Sequence, residues 1–381
     1  MDKAAVTRAT LLIMAVFLLQ PLALGGWLAL IPEVKETLGL SKGQLAFALM
    51  GVPVALVPGL QIAGRVINNA GPRRIAAIFF PLQALAFLLP FAAWNMWSLF
   101  AALFAIGLMM AFVEVAMNVY AGRLEKRETV LIMNKCHGFW SLGVMIGSGV
   151  VAIFNAGVTP QFGLAILSAV AGALAARALP RLRGEDDERA PPRRKFSNLP
   201  AALFLIAVFM FVVTLTEGVM ADWAAVYRAE RLGEPGTKAA LAVTVFAGLM
   251  AFGRFIGDLI KRHFGAVAHA RITVGCAIAG LLIVIAPLPV ALTYAGFALL
   301  GFGTSAAYPL GVSAIAALDD HYEASNIAFA ATMAMGGFLI GPPLIGFLSE
   351  AFSLAIAFAA LLPGLGLALY LTRWLAPESD K

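Results

Sequence analysis

The chain is short of charge and nearly without cysteine. Only 13% of its 381 residues are Asp, Glu, Lys or Arg, and 61% are hydrophobic. A soluble globular protein carries about 25% charged residues, so an ordinary soluble domain is excluded. Cys136 and Cys276 stand far apart. They give no disulfide framework and no Cys/His metal pattern, and neither a cofactor nor a metal is expected. No Ser/His/Asp order and no phosphate loop stands out, and polar residues are spread over many apolar segments, which argues against an enzyme. Short alternating strands of the barrel kind are absent too. Lys3 and Arg8 precede a greasy stretch from about Ala9 to Ile31. It outruns the 7–15-residue core of a secretory leader and is expected to be a spanning helix.

What the chain does have is apolar length, with a mean hydropathy of +0.90. Roughly 20 apolar residues cross the hydrocarbon core as a helix. Twelve such segments can be drawn, near 9–31, 43–66, 73–93, 97–122, 136–156, 161–179, 199–227, 239–260, 268–287, 290–317, 325–349 and 352–375. The expectation is an all-α membrane protein of twelve transmembrane helices. A polar, proline-bearing stretch at 180–198 divides them into residues 1–179 and 199–381, six helices each, and reads as a cytoplasmic linker.

The basic residues test the count. With both termini and the linker on one side, 22 of the 27 Lys and Arg residues fall on that side; Lys35, Lys42, Arg228, Arg231 and Lys238 fall on the other. Lys and Arg accumulate in cytoplasmic loops, so both ends are expected inside. The net charge of +6 is then explained by topology, not by nucleic acid.

The halves resemble each other. Gly64-Arg-Val-Ile67 ends the second segment and Gly253-Arg-Phe-Ile256 lies in the eighth. Gly143 and Gly147 in the fifth match Gly337 and Gly341 in the eleventh. Glu114 follows Gly107 by seven residues, and Tyr308 follows Gly301 by seven. Glycine is common in membrane helices, but the shared order argues for a duplicated six-helix unit. Such repeats place binding sites near the midplane, between the halves.

The polar residues inside the apolar segments are the candidate site. Glu114 lies in Ala111-Phe-Val-Glu-Val-Ala-Met-Asn-Val-Tyr120. A carboxylate at bilayer depth costs several kcal/mol unless it finds a partner, a wet cavity or a proton. Asn118, one turn on, shares its face and can bond the carboxyl. Glu217 and Asp222 lie in the seventh segment beside Trp223, Asp222 toward the outer mouth. His137 and Ser141 share a face of the fifth with Trp140 close by, and histidine can relay a proton. Gln20 and Trp27 on the first segment, and Thr304 and Tyr308 on the tenth, are candidate cavity-lining groups. Arg254 and Asp258, one turn apart, are expected to form a structural pair at the inner end of the eighth. Glu114, His137 and Glu217 are the expected proton-coupling residues; Gln20, Trp27, Asn118, Trp140, Ser141, Asp222, Trp223, Thr304 and Tyr308 are the expected solute contacts.

Over its whole length the chain resembles the major facilitator superfamily. The resemblance rests on two groups of six helices, the basic central linker, and Gly64-Arg-Val-Ile-Asn68-Asn-Ala-Gly71-Pro-Arg73-Arg74. These match the superfamily's Gly-x-x-x-Asp-(Arg/Lys)-x-Gly-x-(Arg/Lys)-(Arg/Lys) signature, with Asn68 in place of the acid. Gly257, Asp258, Lys261, Arg262 and Gly265 make the related turn of the second half. Within the superfamily, Glu114-Val-Ala-Met-Asn118-Val-Tyr resembles the helix 4 segment of fucose–proton symporters, Glu-x-Ala-x-Asn-Pro-Tyr. His137-Gly-Phe-Trp-Ser-Leu-Gly143 and Glu217-Gly-Val-Met-Ala-Asp-Trp223 look like a bacterial branch of such permeases. Those symporters couple protons through the glutamate and a helix 1 aspartate, but helix 1 has no acid in that stretch here.

The resemblance implies two pseudo-symmetric six-helix bundles in a bacterial inner membrane. It also implies alternating access and a small polar solute of sugar or polyol kind, moved with protons. Gly64, Gly71, Arg73, Arg74, Arg254 and Asp258 would gate the change of state. The expected partners are solute, protons and lipid, without nucleic acid, and a monomer is the family's usual condition. The alternatives are a proton-coupled exporter of amphipathic or cationic compounds and a non-transporting receptor.

Overall fold

The computed structural model describes residues 1–154, 157–182, 199–233, 236–318 and 322–376. Most of the linker at 180–198, from 183 on, lies outside them. Six helices precede it: α1 (Lys3–Thr37), α2 (Lys42–Ala70), α3 (Pro72–Ala92), α4 (Met96–Glu128), α5 (Met133–Ile153) and α6 (Val158–Ala178). After it come α7 (Ala201–Arg231) and the long run Gly236–Ile285. That run is broken at Gly265, where φ is 80° and ψ is 167°. It therefore holds two spans, α8 (236–264) and α9 (266–285). The chain ends with α10 (Val290–Ala316), α11 (Ser325–Ala351) and α12 (Leu354–Leu375). Among the described residues this gives the twelve helices the sequence leads one to expect, in two bundles of six. Side chains set some of the starts. Ser41 and Gln44 cap α2 reciprocally, and Asn95 and Ser98 do the same for α4, satisfying N–H groups that a helix end leaves open.

The interruptions of α1 and α10 fall at mid-depth. α1 breaks at Gln20–Pro21, where proline supplies no N–H. Its neighbour α6 covers the break. Ser168 Oγ donates to the Leu19 carbonyl at 2.5 Å, and Gln161 Nε2 donates to the Ala23 carbonyl at 2.8 Å. Buried protein groups of this kind are what permit irregular backbone inside a membrane. α10 breaks between Thr304 and Ala307, just before Pro309.

Close helix contacts repeat between the halves. A Cβ on Gly107 of α4 would strike the Val52 carbonyl of α2, and one on Gly301 of α10 would strike the Phe246 carbonyl of α8. Phe246 follows Val52 by the same 194 positions that separate the two glycines. Likewise Gly143 and Gly147 of α5 press on the Leu18 and Leu22 carbonyls of α1. At their counterparts Gly337 and Gly341 of α11, a Cβ would lie 2.8 and 3.5 Å from the Phe211 and Leu215 carbonyls of α7. Small residues let membrane helices approach closely, and here two equivalent helix pairs use them, once in each half.

The apolar cores show how the halves meet. At the end where the basic residues collect, each half has its own core: Ile13, Phe17, Phe80 and Tyr120 in the first, and Leu203, Phe209, Val274 and Leu310 in the second. At the far end a single core runs through both, with Trp27, Leu45 and Leu103 packed among Trp223, Phe246 and Phe358. Glu230 of α7 reinforces that end, bonded to Lys35 Nζ at 2.7 Å and Lys42 Nζ at 3.4 Å. Glu350 of α11 accepts from the Gly43 N–H at 3.1 Å. At the basic end α5 and α8 stay together, through Phe139 against Phe255 and an Asn134–Asp258 hydrogen bond of 2.6 Å. The first part of α1 packs on α4, α5 and α6 of its own half. One apolar core thus joins the halves at the far end, whereas at the basic end each half keeps its own core and α5 meets α8.

Two outcomes follow for the packing. Gly107→Leu or Gly301→Leu should cost about 1–3 kcal/mol by overpacking and lower the melting temperature in detergent. Gly64→Ala, where an added Cβ meets nothing within 4 Å, should leave it unchanged. In a chain freed of Cys136 and Cys276, a Lys35→Cys/Glu230→Cys pair should crosslink and hold the far end shut. Solute flux should stop and return on reduction; flux through the crosslinked protein would count against far-end opening.

Candidate functional site

The space between the two basic-end cores is lined by polar side chains from α1, α4, α5, α7, α8 and α10. Glu114 and Asn118 are half-buried on α4. The Asn118 amide donates to the Glu114 carbonyl at 2.9 Å and to Glu114 Oε2 at 3.3 Å. The Trp140 indole N–H of α5 lies in reach of the same carboxyl and donates to Gln20 Oε1 at 2.8 Å. Gln20, at the break in α1, donates in turn to Gln83 Oε1 of α3 at 3.2 Å. A hydrogen-bond chain thus runs from Trp140 through Gln20 to Gln83, beside the Glu114–Asn118 pair. No cation pairs with Glu114 among the described residues.

A second group sits beside it. Arg254 of α8 donates to Glu217 Oε1 of α7 at 3.1 Å, to Ser141 Oγ of α5 at 2.5 Å and to the His137 carbonyl at 3.5 Å. The Arg254 and Glu217 side chains are 10% and 13% exposed, so this ion pair is largely withdrawn from solvent. Its guanidinium spans the two halves, with Glu217 in its own half and Ser141 in the other. The His137 ring packs edge-on against Phe17, with centroids 5.6 Å apart, and lies 6.4 Å from the Tyr308 ring of α10. Glu114, Asn118, Gln20, Trp140, Ser141, His137, Glu217 and Tyr308 therefore come together.

Other expected site residues lie elsewhere. Trp27 is 2% exposed and edge-on to Phe91, and Trp223 is fully buried; both belong to the apolar far-end core. Asp222 lies between them and Glu217 along α7, half-buried, with no hydrogen-bond or ion-pair partner among the described residues. Thr304 is buried, and its hydroxyl bonds the Leu300 carbonyl of its own helix at 3.1 Å.

The expected Arg254–Asp258 pair is not formed. Helical spacing allowed it, but Arg254 turns into the bundle toward Glu217 while Asp258 is exposed and takes Asn134. Arg73 donates twice to the Arg177 carbonyl, at 2.9 and 2.5 Å. That ties α3 to α6 within one half and does not bridge the halves. Arg74 is exposed. Gly71 has φ of 81°, a backbone that glycine alone adopts freely.

Gln83 is the member that the sequence reading missed. The signal was present: it is a lone amide in the apolar run Ala76–Ala86. The Arg254–Glu217 bond was missed as well, because the two lie 37 positions apart and nothing local links them.

The fold and this midplane cluster define a polytopic membrane protein of the transporter kind. The chain belongs to the Major Facilitator Superfamily, whose profile matches residues 13–295. It is 29% identical over 353 residues to an uncharacterized transporter, y4wD, of Sinorhizobium fredii, covering 90% of this chain and 91% of that one. It is 28% identical to the membrane protein MosC of Rhizobium meliloti, covering 90% and 84%. Among solved structures it superposes on a mutant of the nucleoside transporter NupG with a TM-score of 0.76 at 13% identity, covering 96% and 98% of the two chains. FucP in its outward conformation gives 0.65 at 16% identity, covering 96% and 98%.

The geometry makes the roles of Arg254 and Asp258 separable. Arg254→Leu strands the Glu217 carboxylate, and breaking a buried pair costs about 3–5 kcal/mol. Asp258→Asn removes only an exposed charge. The first should sharply lower thermal stability in detergent and the second should not; equal effects would contradict the pairing observed.

Proposed function

We propose that this protein is a secondary transporter that moves a small, neutral, hydroxyl-bearing solute of sugar or polyol kind by alternating access, coupled to protons through Glu114. The observation that carries the reading is the unpaired Glu114 carboxyl, backed by Asn118 and facing the space between the halves. A carboxyl without a cation, in a site that must close, is stable there as the neutral acid. Loading a proton removes the desolvation cost of closure, and solute bound between the halves makes the closed state favourable. Gln20, Asn118, Trp140, Ser141 and Tyr308 supply donors, acceptors and an aromatic face suited to a hydroxylated ring. Neutral solutes of this type agree with the nucleoside and fucose named for the structural neighbours.

Orientation follows from charge. The basic end is assigned to the cytoplasm, with both termini there and the protein in a bacterial inner membrane. The state described is then open to the cytoplasm, with Glu230, Lys35 and Lys42 at the outer gate.

Proteoliposomes carrying a trapped pH dye provide the test. Challenge with L-fucose, D-ribose, myo-inositol and mannitol should move protons with at least one solute in the wild type. Glu114→Gln should abolish the proton signal while solute still equilibrates. Proton movement surviving in Glu114→Gln would remove Glu114 from the coupling role.

A further inference from the structure

Building on the transporter reading, we infer that Arg254 and Glu217 form a fixed solute-recognition pair, not a second proton site. The grounds are geometric. Glu217 is engaged at 3.1 Å by a guanidinium that Ser141 also holds at 2.5 Å. Protonating Glu217 would leave that guanidinium without its counter-charge in a site about nine-tenths withdrawn from solvent, and an uncompensated buried charge is strongly unfavourable. No other carboxylate is placed to take it. Asp258 is exposed and bonded to Asn134, and Asp222 lies toward the far end of α7. The remaining titratable groups near the pair are His137 on α5, and Glu114 and Tyr308 across the space. The pair is therefore neutral as it stands and does not need a proton to be enclosed.

What such a pair offers is recognition. Glu217 Oε2 takes no bond in the structure, and the guanidinium keeps donors beyond those given to Glu217, Ser141 and His137. A carboxylate acceptor beside a guanidinium donor fits two neighbouring hydroxyl groups of a neutral solute. One hydroxyl donates to Glu217 and the other accepts from Arg254. A neutral solute leaves the pair intact. An anionic solute would compete with Glu217 for Arg254 and strand the carboxylate. The chemistry thus selects neutral polyols with adjacent hydroxyls.

The experiment separates exchange from accumulation. Reconstituted wild type, Glu114→Gln, Glu217→Gln, Arg254→Gln and the double variant Glu217→Gln/Arg254→Gln are assayed with labelled L-fucose, D-ribose, myo-inositol and mannitol. Equilibrium exchange across the bilayer requires solute binding but no net proton transfer. Glu114→Gln should keep exchange and lose proton-driven accumulation. The three variants at the pair should lose exchange about tenfold or more, the scale of hydrogen bonds to charged groups. The double variant strands no charge, so its loss reports recognition and not misfolding. A Glu217→Gln or double variant that exchanges normally, whether or not it accumulates solute, would overturn the inference. Wild type inert to every probe would instead sink the solute class on which both readings stand.

Discussion

Every polar group in this bundle has to find its partner inside the bundle. Water is excluded from the hydrocarbon core, and an unsatisfied backbone or side-chain group there costs several kcal/mol. That constraint explains why the interruptions and the polar side chains occur together. The break at Gln20–Pro21 frees carbonyls, and Gln161 and Ser168 of the neighbouring α6 bond those on either side of it. The break also brings Gln20 to the bundle axis, where its amide links Trp140 to Gln83. Arg254 obeys the same rule. It is buried with two carbonyl or hydroxyl partners on α5 and a carboxylate on α7, and no exposed alternative would satisfy it as fully.

Burial also decides how the halves can move. Within each half the helices touch through glycine against backbone carbonyl, a contact with no room to slide, and the same contacts recur in both halves. Each half is therefore stiff. Between the halves, the far end is held by an apolar core and by Glu230 with two lysines, while the basic end keeps two separate cores. The ion pairs of that end contribute only about 0–1 kcal/mol each, so the apolar core carries most of the hold between the halves. Stiff halves that meet along such a seam fit the rocking motion proposed above.

The sequence made the architecture legible because a bilayer imposes a length and a charge rule on each helix. Twelve apolar segments and the 22-to-5 division of basic residues were enough to count the spans, and the paired glycines disclosed the duplication before any contact was known. The α4 site was legible too, since Glu114 and Asn118 lie one turn apart and must share a face. The pairing of Arg254 was not. Spacing of four favoured Asp258, but a helical neighbour in the exposed last turns offers little, whereas Glu217 offers a charge at a depth where charge must be matched. Trp27 and Trp223 misled for the opposite reason. An indole reads equally well as a cavity wall and as core, and only the closure of the far end shows that these two are core in this state.

The charges of the site then set what closing it requires. The Arg254–Glu217 pair is neutral in itself and can be enclosed as it stands. Glu114 cannot, because its nearest partners, Asn118 and Trp140, are neutral donors. Hydrogen bonds to neutral groups return only part of the hydration that a carboxylate loses, and the uncompensated remainder is worth several kcal/mol. Each 1.4 kcal/mol is a factor of ten in population. On the proposed reading, an occluded state with Glu114 ionised is rarer by orders of magnitude than one with Glu114 protonated, and the halves would exchange mainly with the proton aboard. A carboxyl without a counter-charge, such as Glu114 or the half-buried Asp222, adds to the charge that closure must remove, whereas Glu217, already matched by Arg254, does not.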